Sequence, residues 1–306
     1  MTRSGRVQRY VEVTVPDWRS FAEIAALQGR HYFRGQSSAR WPLASSLERE
    51  YNRYKPDRLG SPPNAEHWML HEFKSKYHLH ASSPPPESDD FEWLALMQHH
   101  GAPTRLLDFT LSPYIASFFA IEEATEPACV WAISWTSIRD QILARGLVQY
   151  DNSKTLRDSV NRTLIEFLND YIGEKSPRNP PLQLVPVESK RLSARASRQK
   201  GLFLAPLSIG WVGKFVPFEG NLAESFGTDG VDFANLERLE FKEFMSTSEH
   251  GFWPDAFSAA RIILPERVHV PGLRQLVQMG ISRESLFPGL DGLARSLTLE
   301  HLRLGL

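Results

Sequence analysis

The sequence predicts an α+β fold, with mixed helices around a small central β-sheet. Three observations carry that expectation. Short apolar runs have strand character, foremost Ala128–Trp135, which is apolar at nearly every position, as in a strand buried on both faces. Between such runs lie segments whose apolar residues recur at helical spacing. No internal repeat or low-complexity tract interrupts the alternation of the two.

The elements follow in order. Pro16-Asp17 opens a helix that presents Trp18, Phe21, Ile24, Ala25 and Gln28 on one stripe, and Gly29 closes it. His31–Gln36 reads as a short strand leading into a turn. Ser45-Ser46-Leu47-Glu48 has capping character, and a polar, tyrosine-rich segment follows to Lys55. Residues 56–64, with Pro56, Gly60, Pro62 and Pro63, read as a loop. Ala65–Ala81 is a helix by the spacing of Trp68, Leu70, Phe73 and Tyr77, ended by the prolines at 84–86. Asp89-Asp90 caps a helix over Phe91–His100, which Gly101 terminates. Thr104–Phe109 reads as a strand. Ser112-Pro113 starts a helix that carries Ile115, Ala116, Phe118, Phe119 and Ile121 into the core. Residues 154–172 form an amphipathic helix, and the proline-rich stretch Glu174–Pro186 a connector. Strand-like runs recur at Gly201–Leu204 and Trp211–Phe218. From Pro265 onward a strand and then helices are expected.

Composition narrows the class. The chain has 306 residues, 42% of them apolar and 23% charged, the balance of a folded globular protein. It is read as one domain over 1–306, with a core at about 30–206 and 262–300 and an elaboration at 207–255. Lys+Arg number 35 and Asp+Glu 36, a net charge of −1 that argues against general nucleic-acid binding. The single cysteine, Cys129, excludes an intrachain disulfide and a four-cysteine zinc site. The first 17 residues hold no apolar run of a secretory signal, and no stretch has the length of a membrane span. A cytoplasmic protein without membrane association is expected.

Two blocks stand out: Tyr32-Phe33-Arg34-Gly35-Gln36, and the run from Leu96 to Ala120 that contains Gln98-His99-His100-Gly101, Thr104-Arg105-Leu106-Leu107-Asp108-Phe109-Thr110 and Ser112-Pro113. They are joined by Arg198-Gln199-Lys200-Gly201-Leu202-Phe203 and by Ser285–Ala294. Through these four ordered blocks the chain resembles the FRG domain family over about residues 30–300. It departs from the family pattern at Phe109, where tryptophan is usual, and at Gly289, where an acid is usual. The resemblance implies a bacterial or phage-associated setting in defence or toxin biology. A weaker resemblance is to ADP-ribosyltransferases, with Arg34 in the first-strand position and Thr110 and Ser112 in the second. It implies NAD as cofactor. Where a catalytic glutamate is expected, the chain offers Arg198-Gln199, and glutamine supplies no carboxylate.

On these grounds Arg34, His99, Thr110 and Gln199 are the candidate catalytic residues. Tyr32, Gly35, Gln36, Thr104, Arg105, Asp108, Ser112 and Arg198 are the candidate substrate-binding residues. A guanidinium such as Arg34 forks two hydrogen bonds onto a phosphate. His99 or Thr110 would contact ribose, and Arg198 with Gln199 would close the site. The ligand class implied is a nucleotide, and a phage or bacterial protein is a further candidate partner.

Three arrangements compete. A transferase needs a carboxylate converging on Arg34 in an open cleft. A binding or sensor module for a nucleotide, nucleic-acid end or phage protein needs the cleft alone. An ionic lock needs Arg34 and Asp108, or Arg105 and Asp108, buried and paired directly with no cavity beside them. Lesser signals are Ser246-Thr247-Ser248-Glu249, read first as a turn or cap, and the helical pair His67 and His71, which lacks a third metal ligand. Cys129, inside an apolar strand, is expected to be an inert core residue.

Overall fold

The computed structural model describes residues 9–54, 62–147, 156–172, 180–190, 197–211, 214–227, 231–248, 250–254 and 257–305. Residues 56–61 of the expected loop, 154–155 of the amphipathic helix, 174–179 of the connector and Glu249 lie outside them. The strands are β1 (Arg9–Thr14), β2 (His31–Gln36), β3 (Leu107–Thr110), β4 (Ala128–Ser134), β5 (Leu184–Val187), β6 (Gly201–Pro206), β7 (Gly210–Trp211), β8 (Lys214–Phe215), β9 (Glu237–Leu239) and β10 (Phe257–Leu264). The helices that matter below are α1 (Trp18–Ala25), α2 (Ser46–Tyr54), α3 (Pro62–Lys76), α4 (Asp90–His99), α5 (Pro113–Ile121), α6 (Trp135–Ala144) and α7 (Leu156–Asn169).

Eight strands form one mixed sheet in the order β5-β6-β3-β2-β4-β10-β1-β9, with β7 and β8 as a separate hairpin. The pairs are antiparallel, save that β1 runs parallel to both β10 and β9. The fold is α+β, and its sheet is larger than the apolar runs of the sequence suggest. Every residue of β4 and β10 is buried, which explains why β4 reads as an unbroken apolar run. Cys129, Trp131 and Ile133 of β4 face one core, shared with α3, α4, α6 and α7. Val130 and Ala132 face the other, shared with α1, α5 and the helix Glu266–Gln278. The sheet is thus covered on both faces. Among the described residues no helix is long and apolar enough to cross a membrane.

Local chemistry sets the helix starts. The Asp17 carboxylate accepts the Ser20 N–H at 2.8 Å and caps α1. Asp89 caps α4, and Ser112 caps α5 with Pro113 in the first turn. Several expectations shift. The strand expected at Thr104–Phe109 begins at Leu107, because Thr104 and Arg105 are drawn off into bonds with α2 and α3. The Trp211–Phe218 run divides: Trp211 ends β7, Lys214–Phe215 form β8, and Phe218 starts a helix, Phe218–Glu224. The strand expected after Pro265 precedes it as β10, and Pro265 opens a helix. Part of the expected connector pairs with β6 as β5.

The 207–255 segment supplies β9 to the sheet edge. It adds Phe218, Leu222, Phe226 and Phe233 to one core, and Phe244 and Trp253 to the other. Two carboxylates, buried Glu48 and half-buried Glu219, seat it against α2 and the residues just before it. Glu48 accepts the Phe218 N–H at 3.1 Å, and Glu219 accepts the Leu43 N–H at 2.9 Å. Burial, with the nearby Glu219 charge, pushes the Glu48 carboxyl up to about 7. Between about pH 4.5 and 7 the folded chain therefore holds a proton that the unfolded chain has released. Stability is full below that window and falls as pH rises through it, by about 3 kcal/mol for a shift of this size. Glu48→Gln keeps the acceptor and removes the titration. Melting curves at about pH 5 and about pH 8 should then differ less than in wild type. An unchanged difference would remove Glu48 as its source.

Candidate functional site

Alternation along β2 turns Tyr32, Arg34 and Gln36 to one face and Phe33 and Gly35 to the other. Gly35 lies directly under α5: a Cβ there would stand 2.0 Å from the Ala116 carbonyl oxygen and 2.6 Å from the Ala120 nitrogen. Only glycine lets the helix backbone rest on the strand. On its other side β2 meets β3 at a single register pair, Phe33 with Thr110. Beyond that pair the strands part, and Arg34 spans the gap by donating from Nη1 to the Asp108 carbonyl at 2.7 Å. Its Nε is buried without a hydrogen-bond partner among the described residues. Burial pulls the guanidinium below its ordinary value, which the Asp108 charge opposes and Arg49 reinforces.

A cavity of about 440 Å³ opens at this divergence. Arg34 and Gly35 of β2 line it, with Asp108, Phe109 and Thr110 of β3. Gln98 and His99 enter from the end of α4, Phe119 from α5, and Gln199 and Phe203 from the approach to β6 and from β6 itself. The arrangement joins a guanidinium, two carboxylates (Asp108 and Glu92), an imidazole and two amides with aromatic walls, a mixture suited to a small polar ligand carrying a flat ring.

A buried relay aims the carboxylate. The Thr104 hydroxyl accepts the Leu106 N–H at 3.3 Å and donates to the Gln98 side-chain oxygen. The Gln98 amide then donates to Asp108 Oδ2 at 2.9 Å. Thr104 is fully buried and Asp108 is exposed to the cavity, so the relay runs from core to site.

Of the twelve candidates, Arg34, Gly35, His99, Asp108, Thr110 and Gln199 line the cavity, and the other six do not. Gln36 turns into the core, donating to the Pro42 carbonyl at 3.0 Å and accepting from Trp131 Nε1 at 2.8 Å. Tyr32 packs edge-on against Trp135. Thr104 acts through Gln98. Ser112 caps α5. Arg105 is buried and paired with Glu66, Nε to Oε2 at 2.6 Å. Arg198 reaches the Ser285 carbonyl at 3.5 Å, and the Gln199 amide the Leu286 carbonyl at 3.3 Å, so two distant sequence blocks dock on each other. Thr110 is itself committed, donating to the Gln199 carbonyl at 2.7 Å and accepting the Ser112 N–H at 3.1 Å.

The direct ionic lock is corrected. Among the described residues no ion pair joins Asp108 to Arg34 or to Arg105, and a cavity lies beside Arg34. The lock in this fold is Arg105 with Glu66. Two cavity residues lacked a signal of their own in the sequence. Gln98 sits inside a quoted block without singling itself out. Glu92 reads as an ordinary first-turn acid. In the structure Glu92 is buried and accepts from Ser189 Oγ at 2.7 Å and the Lys190 N–H at 2.6 Å.

The lesser signals resolve locally. The hydroxyls of Ser246, Thr247 and Ser248 each donate to the carbonyl three residues back. His67 and His71 flank Trp68 edge-on. Cys129 is buried, and burial pushes its thiol up to about 12.

No curated protein and no solved structure matches the chain. Residues 29–129 do match the FRG domain family. That span holds β2, the Thr104–Gln98–Asp108 relay and α5. The match does not extend to ADP-ribosyltransferases. The chain therefore carries an FRG domain at residues 29–129.

Proposed function

We propose that the cavity binds a nucleotide, NAD being the first candidate, and that the protein is an ADP-ribosyltransferase- or NADase-like effector in bacterial toxin or anti-phage defence. The observation that carries the reading is the convergence of Arg34, His99, Asp108 and Gln199, drawn from three separated sequence blocks, on one cavity. Arg34 offers N–H groups to a ligand oxygen. Phe119 and Phe203, both partly exposed on the cavity wall, offer faces for a base. Asp108 is the carboxylate that ribosyl chemistry requires and that Arg198-Gln199 lacks. In the hydrolytic form the C1′–N bond breaks, and nicotinamide leaves with the bonding electron pair. Water adds at C1′, and its proton passes to solvent.

A non-catalytic sensor is the second reading. Both Glu92 oxygens are already held, which leaves Asp108 to supply any reactive carboxylate. Thermal melting with NAD, ATP and ADP-ribose, followed by mass spectrometry of the ligand, tests both. A ligand at 100 times its Kd stabilises by about 2.7 kcal/mol, a shift of several degrees for a chain of this size. Arg34→Ala should abolish the shift. Its own Tm should fall only modestly, because one carbonyl loses one hydrogen bond, a cost of about 1–3 kcal/mol. Released nicotinamide makes the protein an enzyme; binding without release makes it a sensor. No shift with any of the three overturns the nucleotide reading.

A further inference from the structure

Resting on that nucleotide reading, we infer that Asp108, aimed by the Thr104–Gln98 relay, binds the vicinal hydroxyls of the ligand's ribose and makes the site select ribonucleotides over their deoxy forms.

The orientation of Gln98 is determined by its neighbours. Thr104 Oγ1 receives the Leu106 N–H, so its own proton goes to the Gln98 oxygen. That places the Gln98 amide nitrogen toward Asp108, where it donates to Oδ2. A carboxylate is an acceptor only. Oδ1 receives no hydrogen bond from the described residues, and the side chain is exposed on the cavity wall. The complementary group is therefore a donor.

Charge narrows the donor further. Among the described residues the cavity wall carries the Asp108 and Glu92 carboxylates against one guanidinium, that of Arg34. A polyphosphate beside Asp108 would be repelled, whereas neutral hydroxyls would not. Arg34 supplies the counterpart. Its guanidinium lines the cavity as a hydrogen-bond donor for a ligand oxygen. A sugar presents both functions on adjacent carbons.

The test takes whichever of ATP, NAD and ADP-ribose binds most tightly and compares its Kd with that of its 2′,3′-dideoxy counterpart by calorimetry. Wild type should prefer the hydroxylated ligand by about 10- to 100-fold, the usual size for a lost hydrogen bond to a charged group. Asp108→Asn should bring the ratio close to one. Thr104→Val, which frees the Gln98 amide to turn over, should lower the ratio, and Thr104→Ser, which keeps the hydroxyl, should restore it. A merely structural role for Thr104 would weaken both ligands equally and leave the ratio unmoved. Equal binding of both ligands by wild type overturns the inference and leaves the nucleotide reading standing. Retention of the full ratio in both Asp108→Asn and Thr104→Val also overturns it. Binding of none of the three nucleotides overturns both. Where Asp108→Asn does not fold, the Thr104 pair decides.

Discussion

Glu66→Ala should lower the melting temperature by roughly 6–20 degrees, because breaking a buried pair costs about 3–5 kcal/mol and each kcal/mol is worth about 2–4 °C in a chain of this size. Both partners are nearly inaccessible, with side-chain exposures of 4% for Arg105 and 2% for Glu66. One Glu66 oxygen accepts Arg105 Nε at 2.6 Å, and the other accepts the Arg105 backbone N–H at 2.8 Å. Arg105 Nη1 also donates to the carbonyls of Tyr171 at 3.1 Å and Leu207 at 3.3 Å. Removing the carboxylate leaves a buried guanidinium bonded to two other chain segments, at Tyr171 and at Leu207, with its charge uncompensated. The loss is a large share of the roughly 5–15 kcal/mol that holds a typical protein folded. The double variant Glu66→Leu with Arg105→Met removes both charges together, and it should recover much of the loss. A wild-type Tm for Glu66→Ala would show that the pair contributes little. Because Arg105 follows Thr104 directly, the same single variant should also weaken nucleotide binding.

Gly35→Ala should be the most damaging one-carbon change in the site. The added methyl would sit 2.0 Å from the Ala116 oxygen and 2.6 Å from the Ala120 nitrogen. Both are backbone atoms of α5, so no rotamer change relieves the clash. The helix must lift from β2, carrying Phe119 and the Ser112 cap away from the cavity. Overpacking of this kind costs about 1–3 kcal/mol or more. The variant should therefore melt lower and lose its nucleotide-induced shift. Gly220→Ala is the control. There a Cβ meets the Val216 side chain at 3.5 Å, ordinary contact in a helix, and the substitution should be neutral or slightly stabilising. Equal Tm values for Gly35→Ala and wild type would mean that α5 does not rest on the glycine.

Much of the secondary structure was legible because its causes are local. Asp17, Asp89 and Ser112 cap helices within three residues of themselves. β4 announces itself because both of its faces are buried. β1 and β5 did not. β1 has a charged residue at Arg9 and Glu12, and its strand state depends on β10, some 250 residues away in the chain. β5 carries Pro186 and lies mostly within the proline-rich stretch that reads as a connector, yet it pairs with β6. Pairing across such distances is decided by what the rest of the fold places alongside.

The site divides along the same line. The amino-acid sequence by itself determined which residue types are present in unusual blocks: Arg34 beside Gly35, His99 at a helix end, Asp108 among apolar neighbours, and Gln199. It also determined the α+β class, through the periods of its apolar residues. Partner choice was decided by the tertiary structure alone. Arg105 and Asp108 are both charged residues in an apolar run, and the sequence allowed either to close an ionic lock. Folding brings Glu66 to Arg105, turns Asp108 out to the cavity and sets Gln98 against it. The physical reason is that a buried charge must be matched, and its match is whichever group packing delivers within a few ångströms, however far away along the chain.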